Sequence, residues 1–350
     1  MRFQSDNTAP VHPRVLAALA EANGGHAASY GDDAWTARAE AALREAFEAP
    51  EAAVRLVATG TAANALLLST LARPWEAIFC TGAAHVEGDE CNAVGALSGG
   101  AKLVPVAHRG GRMDPAALAE AIGRHAHGDV HGTPPGVVTV TQATERGEVM
   151  APEEVAALGA VAARRGLRLH MDGTRLANAV AALGCAPAEV TWRAGVTACS
   201  WGGTKNGLMG VEAVLVFDAS LARDFDYRRM RAGHLLSKSR FLAAQVLAGL
   251  AGGLWLETAG HANAMLARLL AGLRACPGVA VEGSPRANLA FVRLPTPVRD
   301  ALRRAGATFH ELEGGVVRLV CDWSTTEAEV DAALAVVRAA SAVLGPTEAA

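Results

Sequence analysis

The sequence predicts an α/β fold in which a mostly parallel central sheet carries helices on both faces and is followed by a smaller α+β domain. Short apolar runs alternate with alanine-rich helical runs through most of the chain, which is typical of βα units with parallel strands. Beyond about residue 240 this alternation gives way to a long helix and then to shorter strands. We therefore expect a large domain over residues 1–240, including an N-terminal arm, and a small domain over residues 241–350.

The strands of the large domain are expected where the apolar runs lie, at residues 77–80, 102–106, 137–141, 167–171, 196–200 and 212–217. Helices are expected over residues 115–125 and 152–165, because each run begins with a proline and has acidic residues at its start. In the small domain, strands are expected around residues 279–281, 289–294 and 316–320, and a final helix over 326–342.

The composition indicates a globular protein. The 350 residues are 51% hydrophobic and 19% charged, so a large core can form. A net charge of −3 gives no sign of a nucleic-acid partner. The N-terminus lacks an apolar signal segment, and the apolar stretch over residues 242–256 is too short to span a bilayer, so we expect a cytoplasmic protein with no membrane partner.

Cysteine and histidine usage does not indicate a metal or disulfide protein. The six cysteines show no C-x-x-C spacing, so reduced thiols are expected. His125, His127, Asp129 and His131 alternate as strand ligands of a metal could, but a loop-like glycine and proline segment follows them. We therefore expect no metal site.

Lys205 is the residue that most needs an explanation. Only three of the 32 basic residues are lysine, and this one lies in the glycine-rich segment SWGGTKNG at residues 200–207, directly after an apolar run. A surface charge could equally be arginine, whereas a Schiff base requires a primary amine that can lose its proton. A solvated loop lysine is the alternative reading.

An acidic partner for this lysine lies 33 residues upstream, at Asp172, where a strand-like run ends in Asp-Gly. One βα unit fits this interval, so Asp172 and Lys205 could leave the same carboxyl edge of one sheet, where open α/β sheets place their ligands. Pyridoxal 5′-phosphate (PLP) needs such a pair: a lysine for its aldehyde and a carboxylate for its pyridine nitrogen. An aspartate at a strand end can also be a turn residue.

A phosphate site is predicted at residues 59–64, TGTAAN, directly before a helix-favouring run. Backbone N–H groups at a helix N-terminus face an anion, glycine permits close approach, and threonine hydroxyls add donors. Alone, the segment also fits a plain helix cap.

Taken together, these motifs resemble the L-threonine aldolases of low specificity, which are fold-type I PLP enzymes grouped with the β-eliminating lyases. The resemblance covers nearly the whole chain. It rests on FQSDNT at residues 3–8, YGDD at 30–33, TGTAAN at 59–64, AAH at 83–85, MDGTR at 171–175, GTKNG at 203–207 and VRLV at 317–320.

The resemblance implies a role for each matching residue. Lys205 would carry the Schiff base, Asp172 would pair with the pyridinium nitrogen, and His85 would stack on the ring. The phosphate would be held by Gly60 and Thr61, and the cofactor set would also include Arg175 and Thr204. Ser5, Arg175 and Arg318 would grip the substrate carboxylate, which suits the guanidinium fork. Arg175 could instead pair with Asp172, and Arg318 could be an edge-strand charge.

The catalytic base is left open between two residues. Where many family members have Glu-Asn-Thr-His-Asn-Gly, residues 142–147 read QATERG, so Glu145 occupies the histidine position. His85 is the first candidate, directly or through a water, because a pKa near 6.5 suits proton transfer at neutral pH. Glu145 is the second.

The expected activity is retro-aldol cleavage of L-threonine, L-allo-threonine and related β-hydroxy-α-amino acids to glycine and an aldehyde. The alternative is another PLP reaction on the same scaffold, such as β-elimination, transamination or racemisation. Family resemblance also implies a homo-oligomer, at least a dimer and more readily a tetramer. Interface candidates are residues 30–33 and the arginine-rich residues 228–231.

Overall fold

The computed structural model describes residues 1–342. Its α-helices are α1 (Pro13–Ala22), α2 (Ala34–Ala46), α3 (Gly60–Leu71), α4 (His85–Gly88), α5 (Ala93–Ser98), α6 (Pro115–Gly123), α7 (Pro152–Arg164), α8 (Leu176–Leu183), α9 (Pro187–Val190), α10 (Ala222–Arg231), α11 (Arg240–Leu250), α12 (Leu254–Arg274), α13 (Thr296–Arg304) and α14 (Glu327–Ser341). Its strands are β1 (Ala53–Val57), β2 (Ala77–Thr81), β3 (Lys102–Val106), β4 (His108–Arg109), β5 (Arg112–Met113), β6 (Pro135–Thr141), β7 (Arg168–Asp172), β8 (Ala198–Gly202), β9 (Glu212–Val216), β10 (Ala280–Val281), β11 (Leu289–Arg293), β12 (His310–Glu311) and β13 (Val316–Val320).

The central sheet of the described residues has seven strands in the order β1-β9-β8-β7-β6-β2-β3. The strands from β8 to β3 run parallel, whereas β9 is antiparallel to both β8 and β1. The predicted mostly parallel α/β fold is therefore confirmed. Strand β1 was not predicted from the sequence, because Arg55 interrupts its short apolar run.

Helices cover both faces of this sheet, as predicted. One face carries a core to which α2, α7, α8 and α11 contribute, for example through Leu43, Leu158 and Val246. The other face is covered mainly by α3, α5 and α10. Helix α3 is buried along most of its length, from Ala62 to Leu71, which holds its N-terminus firmly against the edge of the sheet.

A smaller antiparallel sheet, in the order β10-β11-β13-β12, packs against α12, α13 and α14 through leucine and valine side chains. The N-terminal arm lies on this sheet, and Phe3 is buried in the same core. The Phe3 N–H donates a hydrogen bond to the Thr308 carbonyl oxygen, and the Phe3 carbonyl oxygen accepts one from Val320 N. The domain boundaries at residues 240 and 241 stay a prediction. Residues 343–350 of the predicted small domain lie outside the described residues.

One stretch, Arg240–Arg274, is long and apolar enough to cross a membrane by length and composition alone. The structure divides it into α11 and α12 at residues 251–253, where Gly252 has a φ of 65°. Half of its most apolar window is buried inside the protein. Since core helices of soluble proteins have the same composition, this stretch is weak evidence for a membrane span.

Candidate active site

Lys205 and Asp172 lie together at the carboxyl edge of the central sheet. Asp172 is the last residue of β7, and Lys205 follows β8 in the 3-10 turn Thr204–Asn206. Strands β7 and β8 are parallel neighbours, so Asp172 and Lys205 leave the same edge of the sheet, as their spacing in the sequence predicted. His85 joins them from the same edge, because α4 begins shortly after the end of β2.

A cavity of about 230 Å³ opens at this edge. It is lined by Asn7, Ala58, Thr59, Gly60, Thr61, Asn64, His85, Glu90, Thr174, Thr204, Lys205 and Glu212. Five of the predicted site residues thus line one cavity, namely Gly60, Thr61, His85, Thr204 and Lys205. Asp172 accepts hydrogen bonds from Asn64 and Thr174, which also line it.

The N-terminus of α3 closes one end of the cavity. Thr59 caps the helix by accepting a hydrogen bond from Ala62 N over 3.2 Å, and Gly60 and Thr61 form the first turn. The backbone N–H groups of a first turn have no partner within the helix, so they can bind an anion. Gly60 and Thr61 therefore lie at a helix N-terminus that lines the same cavity as Lys205, and their role in binding a phosphate stays a prediction.

The glycine-rich segment before Lys205 is required by close packing. A side chain on Gly202 would overlap the backbone of Thr174, and one on Gly203 would come within 2.5 Å of the Val211 carbonyl oxygen. Only glycine allows β8 to pass this close to the turn after β7. The packing therefore fixes where Lys205 leaves the sheet.

Asp172 is buried and fully hydrogen-bonded. Its Oδ1 accepts from Thr174 N and Oγ1 over 2.9 and 2.6 Å, and its Oδ2 accepts from Asn64 Nδ2 over 2.8 Å. Burial alone would raise the pKa of this carboxyl, but the Thr174 hydrogen bonds and the Lys205 charge outweigh it and lower the pKa. Asp172 is therefore a carboxylate at neutral pH, as a partner for a protonated pyridine nitrogen must be.

Lys205 is mostly buried, and the charges around it shift the pKa of its amine in opposite directions. Burial lowers the pKa of its amine, and the Arg175 charge lowers it further, while Asp6, Asp172 and Glu212 act in the opposite direction. The net shift is downward, which favours the neutral amine that attacks an aldehyde. Glu212 is buried beside it and accepts a hydrogen bond from Gly203 N over 2.8 Å; burial raises the pKa of Glu212 to about 7.

Arg175 is held by Asp6, not by Asp172. Its Nε and Nη2 donate to the two oxygens of Asp6 over 2.8 and 2.9 Å, and Asp6 also accepts from Asn288 Nδ2 over 3.1 Å. The alternative that Arg175 pairs with Asp172 is therefore wrong. The reason is that Asp172 is already occupied by Thr174 and Asn64, while the N-terminal arm brings Asp6 within reach.

Arg318 lies near the same arm with part of its guanidinium unused. Its Nη2 donates to the Gln4 carbonyl oxygen over 3.4 Å, and its buried Nε has no partner among the described residues. Burial and then the charge of Arg175 lower the pKa of Arg318. Ser5 caps the 3-10 turn Asp6–Thr8, where its Oγ accepts from Asn7 N. Ser5 and both arginines therefore lie in one region around Asp6.

The two candidate bases are neighbours. Glu145 Oε1 accepts from His85 N over 3.0 Å and from Thr141 Oγ1 over 2.6 Å. Burial raises the pKa of Glu145 to about 7. His85 Nδ1 lies 2.8 Å from Glu90 Oε1, and this hydrogen bond raises the pKa of the imidazole. His85 faces the cavity itself, whereas Glu145 does not line it and reaches it through His85.

The profile of the beta-eliminating lyases matches residues 2–295 of this sequence, which is most of the chain and includes Lys205, Asp172 and the N-terminus of α3. The chain belongs to the beta-eliminating lyase family. Two curated relatives are both called low specificity L-threonine aldolase. The one from Pseudomonas sp. (strain NCIMB 10558) is 45% identical over 340 residues, 97% of each chain. The one from Pseudomonas aeruginosa is 46% identical over 327 residues, 93% of each chain.

Solved structures agree with this family assignment. Threonine aldolase from Leishmania major superposes with a TM-score of 0.91 at 28% identity, covering 97% of this chain and 98% of that chain. A serine palmitoyltransferase from S. paucimobilis with bound PLP superposes with a TM-score of 0.73 at 19% identity, covering 99% of this chain and 88% of that chain. At that identity the second match shows the fold alone, and it confirms the fold-type I prediction.

The residues of this family member fit PLP. A nearly buried primary amine, a buried carboxylate and a helix N-terminus surround one cavity, and these are the groups that the aldehyde, the ring nitrogen and the phosphate require. In the described part of the chain, no group of three or more histidine, cysteine, aspartate or glutamate residues could hold a metal ion. His125, one of the four alternating residues considered as possible metal ligands, contacts the Thr133 carbonyl oxygen over 2.7 Å.

Several residues of this site were not predicted from the sequence, among them Asp6, Asn64, Glu90 and Glu212. Asp6 and Asn64 lie inside motifs that were recognised, but their partners are 169 and 108 residues away, so no local pattern shows the contacts. Glu212 carried a usable signal, because it is a lone acid at the start of an otherwise apolar strand. Glu90 had none, since it reads as a solvated acid in the run EGDE at residues 87–90.

Proposed function

We propose that this protein is a PLP-dependent L-threonine aldolase. It cleaves the Cα–Cβ bond of L-threonine, L-allo-threonine and related β-hydroxy-α-amino acids, and it yields glycine and an aldehyde. The observation that carries the proposal is the pairing of a partly buried Lys205 with a buried Asp172 at one sheet edge, beside the N-terminus of α3. Support also comes from the relatives called low specificity L-threonine aldolase at 45% and 46% identity.

The residues around Lys205 would hold the cofactor. Lys205 supplies the amine that binds its aldehyde, and Asp172 supplies the carboxylate for its ring nitrogen. Gly60, Thr61 and Thr204 line the same cavity and would donate hydrogen bonds to its phosphate. When bound, PLP supplies an electron-withdrawing ring that stabilises negative charge at the substrate Cα.

Arg175, Arg318 and Ser5 would bind the substrate carboxylate. Asp6 orients the Arg175 fork by taking its Nε and Nη2, which leaves Nη1 for a ligand. The buried Nε of Arg318, which has no partner within residues 1–342, is a second donor. A carboxylate fixed by these groups places the Cα–Cβ bond in one orientation, and this orientation selects the bond that breaks.

His85 would accept the proton of the β-hydroxyl group, since it lines the cavity with its ring. Loss of this proton lets the C–O bond become the carbonyl of the leaving aldehyde, and a proton added at Cα completes glycine. Glu145 is the second candidate for the base. With a pKa of about 7 it could hold or release a proton near neutral pH, but it contacts the cavity only through His85.

We further propose a cytoplasmic homo-oligomer, with a tetramer as the expected state. Several large apolar or aromatic side chains are exposed in the single chain, among them Tyr30, Tyr227 and Met230. They lie in or beside the segments that the sequence marked as interface candidates. Light scattering coupled to size-exclusion chromatography would measure the mass; a monomer at micromolar concentration would contradict this proposal.

The test of the activity is aldehyde release by PLP-loaded protein from L-threonine, L-allo-threonine and L-phenylserine. We expect release from the L-isomers, none from the D-isomers, and none from any substrate with Lys205→Ala. The same protein preparation is also tested with L-serine as the substrate, and pyruvate, the product of β-elimination from serine, is measured. Pyruvate without aldehyde, from protein that shows the visible cofactor band, would refute the aldolase and favour a β-elimination.

A further inference from the structure

Glu90 is a buried carboxyl group to which the reaction described above gives no role. Its side chain has no exposed surface, although it belongs to a polar, glycine-containing segment. Its Oε1 lies 2.8 Å from His85 Nδ1 and 3.0 Å from Asn64 Nδ2. Within residues 1–342 its Oε2 has no hydrogen-bond partner. Burial of a carboxyl group is unfavourable unless hydrogen bonds or opposite charges compensate for the lost solvation.

The orientation of the Asn64 side chain shows that Glu90 accepts a hydrogen bond from it. The Asn64 side-chain oxygen accepts from Ser200 Oγ over 3.2 Å, so its amide nitrogen faces the two carboxyl groups. One of its hydrogens goes to Asp172 and the other to Glu90 Oε1. Glu90 Oε1 is thus an acceptor.

With Glu90 as a carboxylate, whose oxygens only accept, the 2.8 Å contact assigns His85 Nδ1 as the donor. A neutral imidazole with its hydrogen on Nδ1 has a lone pair on Nε2. The structure gives Nε2 no hydrogen-bond partner among the described residues, and the His85 side chain is 39% exposed at the cavity. Glu90 therefore selects the tautomer in which the nitrogen free to face a substrate is the basic one.

The groups around His85 shift the pKa of its imidazole in both directions, and the hydrogen bond to Glu90 is the largest contribution. The Glu90 hydrogen bond raises the pKa of the imidazole, burial lowers it, the Asp172 charge raises it, and Lys205 lowers it. Glu145 approaches from the other side, but it contacts the backbone nitrogen of His85 and not the ring. The net direction is upward, so the imidazole is a stronger base than an isolated histidine.

We propose that Glu90, held in place by Asn64, is a positioning residue for His85: it keeps the proton on Nδ1, leaves Nε2 to accept the β-hydroxyl proton, and stabilises the imidazolium that forms. The proposal rests on the aldolase function proposed above. The same logic operates in serine hydrolases, where a buried aspartate fixes the catalytic histidine and its replacement by asparagine lowers kcat about 10⁴-fold.

The first measurement is the pH dependence of carbethoxylation of His85, which modifies the neutral ring and is followed by mass spectrometry of the His85 peptide. It is made on PLP-loaded and cofactor-free protein, with the exposed His26 as an internal reference. In Glu90→Gln, which keeps the size and an acceptor oxygen but removes the charge, we expect the His85 midpoint to fall by about one pH unit or more, since the lost hydrogen bond to an ionised group is of that size. Glu87→Gln, an exposed change in the same segment, should leave the midpoint where it is. An unchanged midpoint in Glu90→Gln would overturn the proposal.

The second measurement separates an effect through His85 from a general loss of structure. Glu90→Gln should lower kcat for L-threonine about 10²-fold or more in the wild-type background, but cause no further loss in His85→Asn. Equal losses in both backgrounds would show that Glu90 acts independently of His85 and would refute the proposal. The carbethoxylation midpoint does not depend on any aldolase activity. A protein that cleaves no substrate, yet shows the shifted midpoint, would contradict the proposed function and leave the Glu90–His85 pairing standing.

Discussion

Replacing Glu212 by glutamine should stabilise the cofactor-free protein, and increasingly so as the pH rises. The Glu212 side chain is buried beside Lys205, and burial raises its pKa from 4.5 to about 7. Between these two pH values the folded protein keeps a proton that the unfolded chain has already released. The contribution of this group to stability therefore falls as the pH rises through that window and is constant above it.

The size of the effect follows from the difference between the two pKa values. A difference of about 2.5 at about 1.4 kcal/mol for each pKa unit gives about 3 kcal/mol at pH 8.5. At pH 5 the same linkage gives less than about 1 kcal/mol. The favourable charge of Lys205 is already contained in the raised value, so it does not offset this figure a second time. Glutamine keeps an oxygen that can accept from Gly203 N and carries no charge.

The assay is urea unfolding of cofactor-free wild-type and Glu212→Gln protein at one protein concentration, at pH 5 and at pH 8.5. Glu51→Gln, a change at an exposed position, is the matched control and should alter the free energy of unfolding at neither pH. We expect the variant to gain about 3 kcal/mol at pH 8.5 and little at pH 5. A variant that is less stable than wild type at pH 8.5 would show that the folded protein stabilises the Glu212 carboxylate, so that its pKa is not raised, and would refute this prediction.

The remaining predictions concern the site itself. Lys205→Ala should lose the visible absorption band of the cofactor together with all activity, and Lys205→Arg, which keeps the charge, should lose both as well; a band that persists in either variant would refute the assignment of the amine. Asp6→Asn should raise the KM for L-threonine about 10-fold, because Arg175 loses a bidentate charged partner, and steady-state kinetics with an unchanged KM would contradict this. His85→Asn should still bind the cofactor, as absorbance shows, while kcat falls by 10²- to 10⁴-fold. In the wild type, kcat/KM should rise with pH through a midpoint above 6.5, since the acceptor must be neutral and Glu90 raises its pKa; a midpoint below 6 would exclude His85 as the base.

The sequence by itself determined the mostly parallel α/β architecture, and it indicated the residues that we propose to carry the cofactor chemistry. Strand β3 and strand β13 lie at the predicted residues, because an apolar run bounded by turn residues has few alternatives inside an α/β protein. The interval between Asp172 and Lys205 placed both at one edge, since it holds one βα unit and such units are right-handed and parallel. Lys205 stood out as a candidate for the reactive amine, because the chain has only three lysines among its 32 basic residues.

The tertiary structure alone decided the partners of these residues. Arg175 binds Asp6, 169 residues away, and His85 binds Glu90, which no periodicity or motif distinguishes from a solvated acid. Glu145 accepts a hydrogen bond from the His85 backbone and does not line the cavity, although its position in the sequence suggested an independent base. The physical reason is that burial, together with the hydrogen bonds and charges around a buried carboxyl group, sets its protonation state. All of these result from the packing of segments that are far apart in the chain. A sequence pattern shows which residue types are available, but the fold decides which of them share a space without water.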